Sequence, residues 1–243
     1  MSRAPRDVRV SRTQFGETWV YESIVGALPG IDLTDGEAIA LQLGLFEVFV
    51  VFFAWAYDLW QAVVPGTIAV GVAAIGSVVM LRMGRTTRET NLPDAYTRLL
   101  FGSSIEVVLG VLAFVALVTH LFVYDTLQGE TTLLVSVFGR EPPVVVVYLT
   151  LLVLWDLCYR IGTSWWAAIV SVWGSWRYTV DPATARTLRI ADGWNVLFGV
   201  AQVALVPFIL DQSVLLMAVG GHVVAVTVVS MVAAVTLDVD ESA

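Results

Sequence analysis

Five ionisable side chains lie within long apolar stretches of this sequence and are its candidates for chemistry. They are Glu47, Glu106, Asp156, Arg160 and His222. If those stretches cross a membrane, each charged group costs about 2.5 to 3.5 kcal/mol at the bilayer centre and needs a partner or a role. Carboxylates and histidines at such depth serve as proton relays and ion sites. We treat the five residues as one candidate intramembrane polar site.

The two embedded glutamates each have a functional and a structural interpretation. Glu47 lies near the middle of the first apolar stretch and could exchange a proton or hold a cation. The simpler interpretation is a protonated carboxyl group that is hydrogen-bonded to a neighbouring helix, for example to Gln202 or His222. Glu106 follows the serine pair 103–104, and the three could bind an ion. Small serines also let helices approach closely, which is the more common use.

Asp156 and Arg160 are spaced as i and i+4, so both project from one face of a helix and can pair with each other. This spacing favours a structural ion pair over catalysis, and we expect Arg160 to extend toward the membrane surface. His222 could relay protons, although a lone histidine is more often a hydrogen-bonded core residue. His120 is expected at the membrane interface.

Enzyme and cofactor motifs are missing from the sequence. HExxH, GxSxG and P-loop patterns do not occur. Two histidines and a single cysteine, Cys158, cannot form a typical metal cluster or an internal disulfide. Lysine is absent, so a retinal Schiff base cannot form, and the formal net charge of −8 disfavours nucleic acid. We therefore predict no enzymatic activity, no cofactor, no metal, no retinal and no nucleic-acid partner.

The elements that must position these residues are membrane-spanning helices. Hydrophobic residues make up 58% of the 243 positions and charged residues only 14%, which lies outside the range of soluble domains. About 20 apolar residues are enough to cross a bilayer as a helix. The sequence predicts an all-α, polytopic transmembrane helical bundle of about six spans, at 37–57, 62–83, 99–124, 144–161, 194–210 and 213–237.

Short interfacial helices are predicted beside these spans. Residues 15–28 repeat apolar positions at helical spacing but are too few to cross a bilayer. Residues 165–176 carry four tryptophans, which favour the headgroup region, and the alternative is one long tilted helix over 143–178. Thr34 and Glu37 fit a capping box that opens the first span, and 125–142 is predicted as an extracellular loop.

Arginine placement gives the bundle an orientation, because short cytoplasmic loops carry the excess of positive charge. Eleven of the thirteen arginines fall before the first span, between the second and third, or between the fourth and fifth, and these segments share one side. Both termini are therefore predicted to be cytoplasmic. We predict three regions: a cytoplasmic amino-terminal segment at 1–36, a six-span domain at 37–237 and an acidic cytoplasmic tail at 238–243.

Three stretches carry a resemblance to a family: FGETWVYESIVGALPG at 15–30, LLFGSSIEVVLGVLAFVALVTHLFV at 99–123 and YLTLLVLWDLCYRIGTSWWA at 148–167. They resemble an uncharacterised family of haloarchaeal multi-pass membrane proteins. The resemblance implies a habitat and a topology but no activity. Arginine-only basicity with an acidic surplus is typical of extreme halophiles and agrees with an archaeal plasma membrane.

Two functional hypotheses follow from the sequence. The first is a non-enzymatic structural or partner-binding membrane module that contacts the lipid bilayer and a second copy or another membrane protein. The second is a small-solute or ion transporter, proton-coupled or not, that uses Glu47, Glu106 and His222 in a cavity between helices. The transporter hypothesis predicts that the five embedded polar residues meet in one cavity, whereas the module hypothesis predicts separate packing contacts.

Overall fold

Long antiparallel helices account for almost all of the structure, a computed structural model that describes Trp19, 34–128 and 132–240. The helices are α1 (Asp35–Tyr57), α2 (Val63–Arg88), α3 (Asp94–Gly102), α4 (Ile105–Thr119), α5 (Asp125–Gln128), α6 (Leu133–Phe138), α7 (Val144–Arg177), α8 (Pro182–Gln202) and α9 (Ser213–Thr236). Short 3-10 turns cover Trp60–Ala62 and Val203–Phe208, and a π-helical turn covers His120–Tyr124.

Six helical segments of the described residues are long and apolar enough to cross a membrane. They are Gly36–Tyr57, Trp60–Arg88, Asp94–Leu127, Val144–Arg177, Pro182–Phe208 and Ser213–Thr236. The predicted all-α bundle with six long apolar helices is confirmed for the described part of the chain. The central helix is α7, which contacts α2, α4, α8 and α9, whereas α1 packs chiefly on α2.

The first span begins at the predicted capping box. The backbone N–H of Thr34 donates to the carboxylate of Glu37 at 2.8 Å, and the N–H of Glu37 donates to the hydroxyl oxygen of Thr34 at 3.3 Å. These bonds satisfy two donors that a helix start otherwise leaves unpaired. The start of α1 is therefore fixed by residues that are readable in the sequence.

The fifth span begins earlier than the predicted residue 194. Asp181 caps α8 by accepting from the N–H groups of Ala183 and Thr184, and Pro182 occupies the first turn, where its missing N–H costs nothing. The hydrogen bond from the hydroxyl of Thr184 holds the pKa of Asp181 below its usual range. Hydropathy missed this first stretch because Arg186 and Arg189 lie in it.

The interfacial helix predicted at 165–176 is wrong, and the single long helix is correct: α7 runs without a break through Val144–Arg177. The four tryptophans of this stretch differ in burial. Trp166 is buried and donates its indole N–H to the carbonyl oxygen of Leu99 at 3.0 Å, while Trp165 lies beside His222. Trp176, near the end of α7, is 71% exposed.

Small residues of α7 serve helix packing and not the predicted bend. A Cβ atom at Gly162 would lie 2.5 Å from the backbone nitrogen of Gly110, so the backbones of α7 and α4 touch there. The hydroxyl of Thr163 bonds back to the carbonyl oxygen of Tyr159 at 2.9 Å, within the same helix. Ser164 donates to Asn195 on α8. Each residue of this Gly-Thr-Ser run thus keeps the helix continuous.

The third span is interrupted near its beginning. Ser104 has a φ of 55°, in the left-handed region, and separates α3 from α4. Beyond the π-helical turn His120–Tyr124, the segment predicted as a loop at 125–142 contains two short helices, α5 and α6. The carboxylate of Asp125 accepts from the backbone N–H of Leu133 at 2.8 Å and joins these two helices.

We call the two ends of the bundle the arginine end and the turn end. The arginine end holds the segment between α2 and α3 and the segment between α7 and α8; the turn end holds 58–62, 125–143 and 208–213. At the arginine end, β1 (Thr179–Val180) pairs in parallel with β2 (Asp238–Val239), which attaches the start of the predicted tail to the bundle. Trp19 also packs there, 2% exposed, against Phe101. The rest of the helix predicted at 15–28 lies outside the described residues.

Candidate functional site

Asp156 and Arg160 form the predicted ion pair within α7. The guanidinium Nη2 of Arg160 lies 2.7 Å from Oδ1 of Asp156, and Nε lies 3.0 Å from Oδ2. Arg160 is only 2% exposed, so its predicted extension toward the membrane surface is wrong. Its side chain lies against Gly76 on α2 and close to Phe198 on α8. The absence of a Cβ at Gly76 leaves the space that the arginine stem occupies.

Glu47 contacts a residue that the sequence interpretation did not consider. The hydroxyl of Thr67 on α2 donates to the Oε2 atom of Glu47 at 3.0 Å. The partner is therefore Thr67, and not Gln202 or His222 as the structural interpretation suggested. Glu47 is half-buried and ties α1 to α2.

Glu106 is fully buried, and neither of its carboxylate oxygens has a hydrogen-bond partner among the described residues. Glu106 lies in the first turn of α4, and its backbone carbonyl is close to Gly162 of α7. Gln202, at the end of α8, is also fully buried, and its Oε1 atom has no partner. Buried polar atoms without partners are uncommon in proteins and mark places where strain, a proton or a ligand is involved.

A buried polar cluster that sequence reasoning missed joins α7, α8 and α9. The hydroxyl of Ser164 donates to Oδ1 of Asn195 at 2.7 Å, and Nδ2 of Asn195 donates to the carbonyl oxygen of Ser164 at 3.1 Å and to the hydroxyl oxygen of Ser230 at 3.4 Å. All three residues are at most 1% exposed. Nearer the arginine end, Ser171 donates to Asp192 at 2.9 Å. Asp192 was overlooked because residues before 194 were not assigned to a span, and Asn195 because only ionisable side chains were considered as candidates.

The largest concave feature of the described residues is a cavity of about 540 Å³ between the helices. Its walls come from α1, α2, α4, α6, α7 and α9 and from the 3-10 turn Val203–Phe208. It includes Leu59, Leu133 and Ile209, which places it toward the turn end. No aspartate, glutamate, lysine or arginine lines it. Its size is in the range of small-molecule sites, which are mostly apolar with a few polar groups.

His222 is the principal polar group of this cavity. The residue is 6% exposed, and neither Nδ1 nor Nε2 has a hydrogen-bond partner in the part of the chain that the structure describes. The indole ring of Trp165 lies 5.9 Å away, centroid to centroid, and also lines the cavity. A neutral imidazole carries one N–H donor and one acceptor nitrogen, and both nitrogens of His222 are buried.

His120 is a second histidine on the wall of the cavity. It is 9% exposed, so its ring is buried within the bundle, and its Nε2 atom has no partner among the described residues. Its ring stacks on Tyr124 at 5.3 Å. His120 lies ten residues beyond the Gly110–Gly162 contact, about 15 Å along the helix toward the turn end. The two histidines therefore occupy different depths.

The five residues of the predicted polar site do not share this cavity. His222 lines it, whereas Glu47, Glu106, Asp156 and Arg160 are absent from its walls. Asp156 borders a much smaller neighbouring space between α1, α2 and α7, which shares Phe46, Val70 and Val153 with the cavity wall. Within the described residues, no group of three or more histidine, cysteine or acidic side chains could hold a metal ion. The polar residues thus serve several helix contacts, and the one large site is apolar.

The fold and the cavity together define a class of protein: a helical bundle with six apolar helices of membrane-crossing length, which fits a membrane protein of unknown activity. The chain belongs to DUF7530, a family of unknown function whose model matches residues 14–233. No curated protein and no solved structure matches the chain.

Proposed function

We propose that the protein is a non-enzymatic, multi-pass membrane module that binds a small apolar partner inside its helical bundle. The observation that carries this proposal is the cavity of about 540 Å³, whose walls are apolar apart from a few groups that include His120 and His222. Protein interiors are normally packed as densely as organic crystals, with few voids larger than a water molecule. A space of this size between long helices is suited to binding.

The positions of the embedded charges support a binding role over catalysis. Asp156 and Arg160 neutralise each other, and Glu47 bonds to Thr67 between two helices. Catalytic sites instead bring titratable groups together within hydrogen-bond reach of a substrate. In the cavity, His222 and His120 stand apart at different depths among apolar side chains. The chemistry available there is recognition by shape and by one or two hydrogen bonds.

The proposed setting is the plasma membrane of a haloarchaeon, with both termini in the cytoplasm. The arginine end then faces the cytoplasm, in keeping with the positive-inside rule, and the turn end and the cavity face outward. Support comes from the alternation of the helices, which places residues 88–94 and 177–182 at one end of the bundle. The bilayer itself is the surrounding partner, and a second copy or another membrane protein is a further proposed partner.

A cavity-filling substitution tests the binding proposal. Wild-type protein isolated in a mild detergent should carry about one equivalent of a small apolar molecule, detected by native mass spectrometry. Ala218 lines the cavity one turn before His222, and Ala218→Trp should lower the bound fraction about tenfold or more, since the indole ring occupies space that the ligand needs.

The matched control for this experiment is Met217→Trp. Met217 is the preceding residue of α9, is 68% exposed and is not part of the cavity wall, so this variant should retain the molecule. Equal occupancy in the wild type and Ala218→Trp, or no bound molecule in the wild type, would contradict the proposal.

Transport of a small solute or ion is the alternative function, and the buried, unpartnered carboxyl group of Glu106 is the observation that favours it. If the protein is a proton-coupled transporter, proteoliposomes should show a flux that Glu47→Gln or Glu106→Gln abolishes. A panel of ions and small solutes that shows no flux, or a flux that both variants retain, would exclude this role for the carboxylates.

A further inference from the structure

The short helix α6 lies across the turn end of the cavity. It follows the third span and precedes α7 along the chain, and its main contact with the rest of the bundle is the turn Trp60–Ala62 between α1 and α2. It therefore crosses from one pair of spans to the other. Its cavity-lining residues are Leu133, Leu134, Val137 and Phe138.

We propose that α6 is a lid that opens to let a ligand enter and leave the cavity at the turn end. This inference rests on the proposed binding function and adds the route of entry and the element that controls it. Three features of α6 support it: its loose packing, its attachment at each end, and the connection between one attachment and the cavity wall.

Loose packing is the first feature. None of the residues of α6 is buried, although its apolar side chains line a cavity between helices. On other walls of the same cavity, Leu121, Leu157 and Leu215 are at most 8% exposed. Segments with few buried apolar contacts open locally at a lower free-energy cost than the packed core. The lid can therefore open while the long helices stay packed.

The attachment at each end is the second feature. At the start of α6, the Oδ2 atom of Asp125 accepts from the backbone N–H of Leu133 at 2.8 Å, and we call this hydrogen bond the latch. At the end of α6, Gly139 has a φ of 80° and a ψ of −179°, a conformation that essentially only glycine adopts. Asp125 and Gly139 position the lid, and neither belongs to the cavity wall.

The position of the latch beside the cavity wall is the third feature. Asp125 directly follows the π-helical turn His120–Tyr124, and His120 and Leu121 of this turn line the cavity. Single π-helical turns within α-helices are frequently found at functional sites. A ligand that contacts this turn therefore contacts the same helical stretch that holds the lid.

Hydrogen–deuterium exchange of the protein in phosphatidylcholine nanodiscs, with no ligand added, tests the lid. Amides of 133–138 should exchange about a hundredfold faster, or more, than those of 146–165 on α7. Asp125→Ala removes the latch and should speed the exchange of 133–138 about tenfold, with 146–165 unchanged. Asp211→Ala is the matched control, because Asp211 is an exposed carboxylate in another turn at the same end. It should leave the exchange of 133–138 unchanged.

A second variant acts at the other end of the lid. Gly139→Ala adds a Cβ atom that meets nothing within 4 Å, so backbone strain alone is responsible for its effect. The exchange of 133–138 should rise about tenfold or more. Gly221→Ala also adds a Cβ atom in open space, at a glycine without a positive φ, and should not change this exchange.

Access to the cavity is measured with a cysteine on its wall. Ala218→Cys is placed in a Cys158→Ser background, and its reaction with N-ethylmaleimide, a small uncharged reagent, is timed. Adding Asp125→Ala should speed this reaction about tenfold, in step with the exchange of α6. Met217→Cys lies outside the cavity on the preceding residue, and Asp125→Ala should not change its reaction rate.

A lid at the entry requires the exchange of α6 and the labelling of the cavity to rise together. Amides of α6 as protected as those of 146–165, exchange that neither lid variant changes, or a rise that is equal in both regions would overturn the lid. Faster exchange with unchanged labelling of Ala218→Cys would show entry between the long helices and overturn the proposed route. Neither measurement uses a ligand, so a wild type without a bound molecule would contradict the binding function and leave the lid to its own test.

Discussion

Gly162→Ala should destabilise the bundle by about 3 kcal/mol, the upper end of the cost of overpacking. The added Cβ atom would lie 2.5 Å from the backbone nitrogen of Gly110 and 2.8 Å from the carbonyl oxygen of Glu106. Backbone atoms cannot rotate out of the way as a side chain can, so α4 would have to move away from α7. This contact joins the central helix to the third span, and its loss would open the bundle on that side.

Two glycines provide matched controls. Gly193 on α8 and Gly221 on α9 have open space where a Cβ atom would stand, so the same substitution at either position should leave stability unchanged or raise it by about 0.5 to 1 kcal/mol. The free energy of unfolding can be followed by circular dichroism and by maleimide labelling of Cys158, the single cysteine of the chain, which is 3% exposed. A Gly162→Ala protein as stable as the two controls would disprove the close backbone contact.

Asp156→Asn should cost about 3 to 5 kcal/mol, because it leaves the buried guanidinium of Arg160 without the carboxylate that neutralises it. The substitution changes the charge and almost nothing in size, so packing defects contribute little. Unfolding in detergent, followed with the same Cys158 label, measures the loss. A change below about 1 kcal/mol, the value typical of exposed pairs, would contradict the buried position of this ion pair.

A double substitution separates lost charge balance from lost packing. Asp156→Leu with Arg160→Met removes both charges together, and replacing a buried pair by apolar residues is often neutral or stabilising. The double variant should therefore be more stable than Asp156→Asn alone. If it is equally unstable, the ion pair contributes through specific hydrogen bonds and not through mutual neutralisation.

Features that depend on local spacing were predictable from the sequence. Apolar runs of membrane-crossing length predicted six helices, and the i and i+4 spacing predicted the Asp156–Arg160 pair. The capping box at Thr34 and Glu37 fixed the start of the first span. In each case the interacting groups lie within one helix or one helix start, so no knowledge of the neighbouring helices was needed.

Features that depend on which helix faces which were not predictable. The Gly-Thr-Ser run at 162–164 has the composition of a bend, but it lies within a continuous helix and contacts Gly110 and Asn195 on neighbouring helices. Trp165 and Trp166 have the composition of a headgroup belt, yet they find a histidine ring and a backbone carbonyl inside the bundle. Tryptophan side chains, which favour the membrane–water interface, can equally make a polar contact inside the bundle.

The candidate site was likewise predictable only in part. His222 was identified from its depth in the sixth span. The cavity it lines is formed by several helices and turns together, so no single stretch of the sequence predicts it. His120 was assigned to the interface because it lies near the end of an apolar run. Only the packing of α4 against α7 shows that it is buried beside the same cavity.

An experimental density map of the protein in phosphatidylcholine nanodiscs tests the central claim most directly. The account predicts one elongated, non-protein density in the cavity in the wild type and not in Ala218→Trp. A cavity closed by its own side chains, or filled by ordered water with no elongated density, would contradict the proposed binding function.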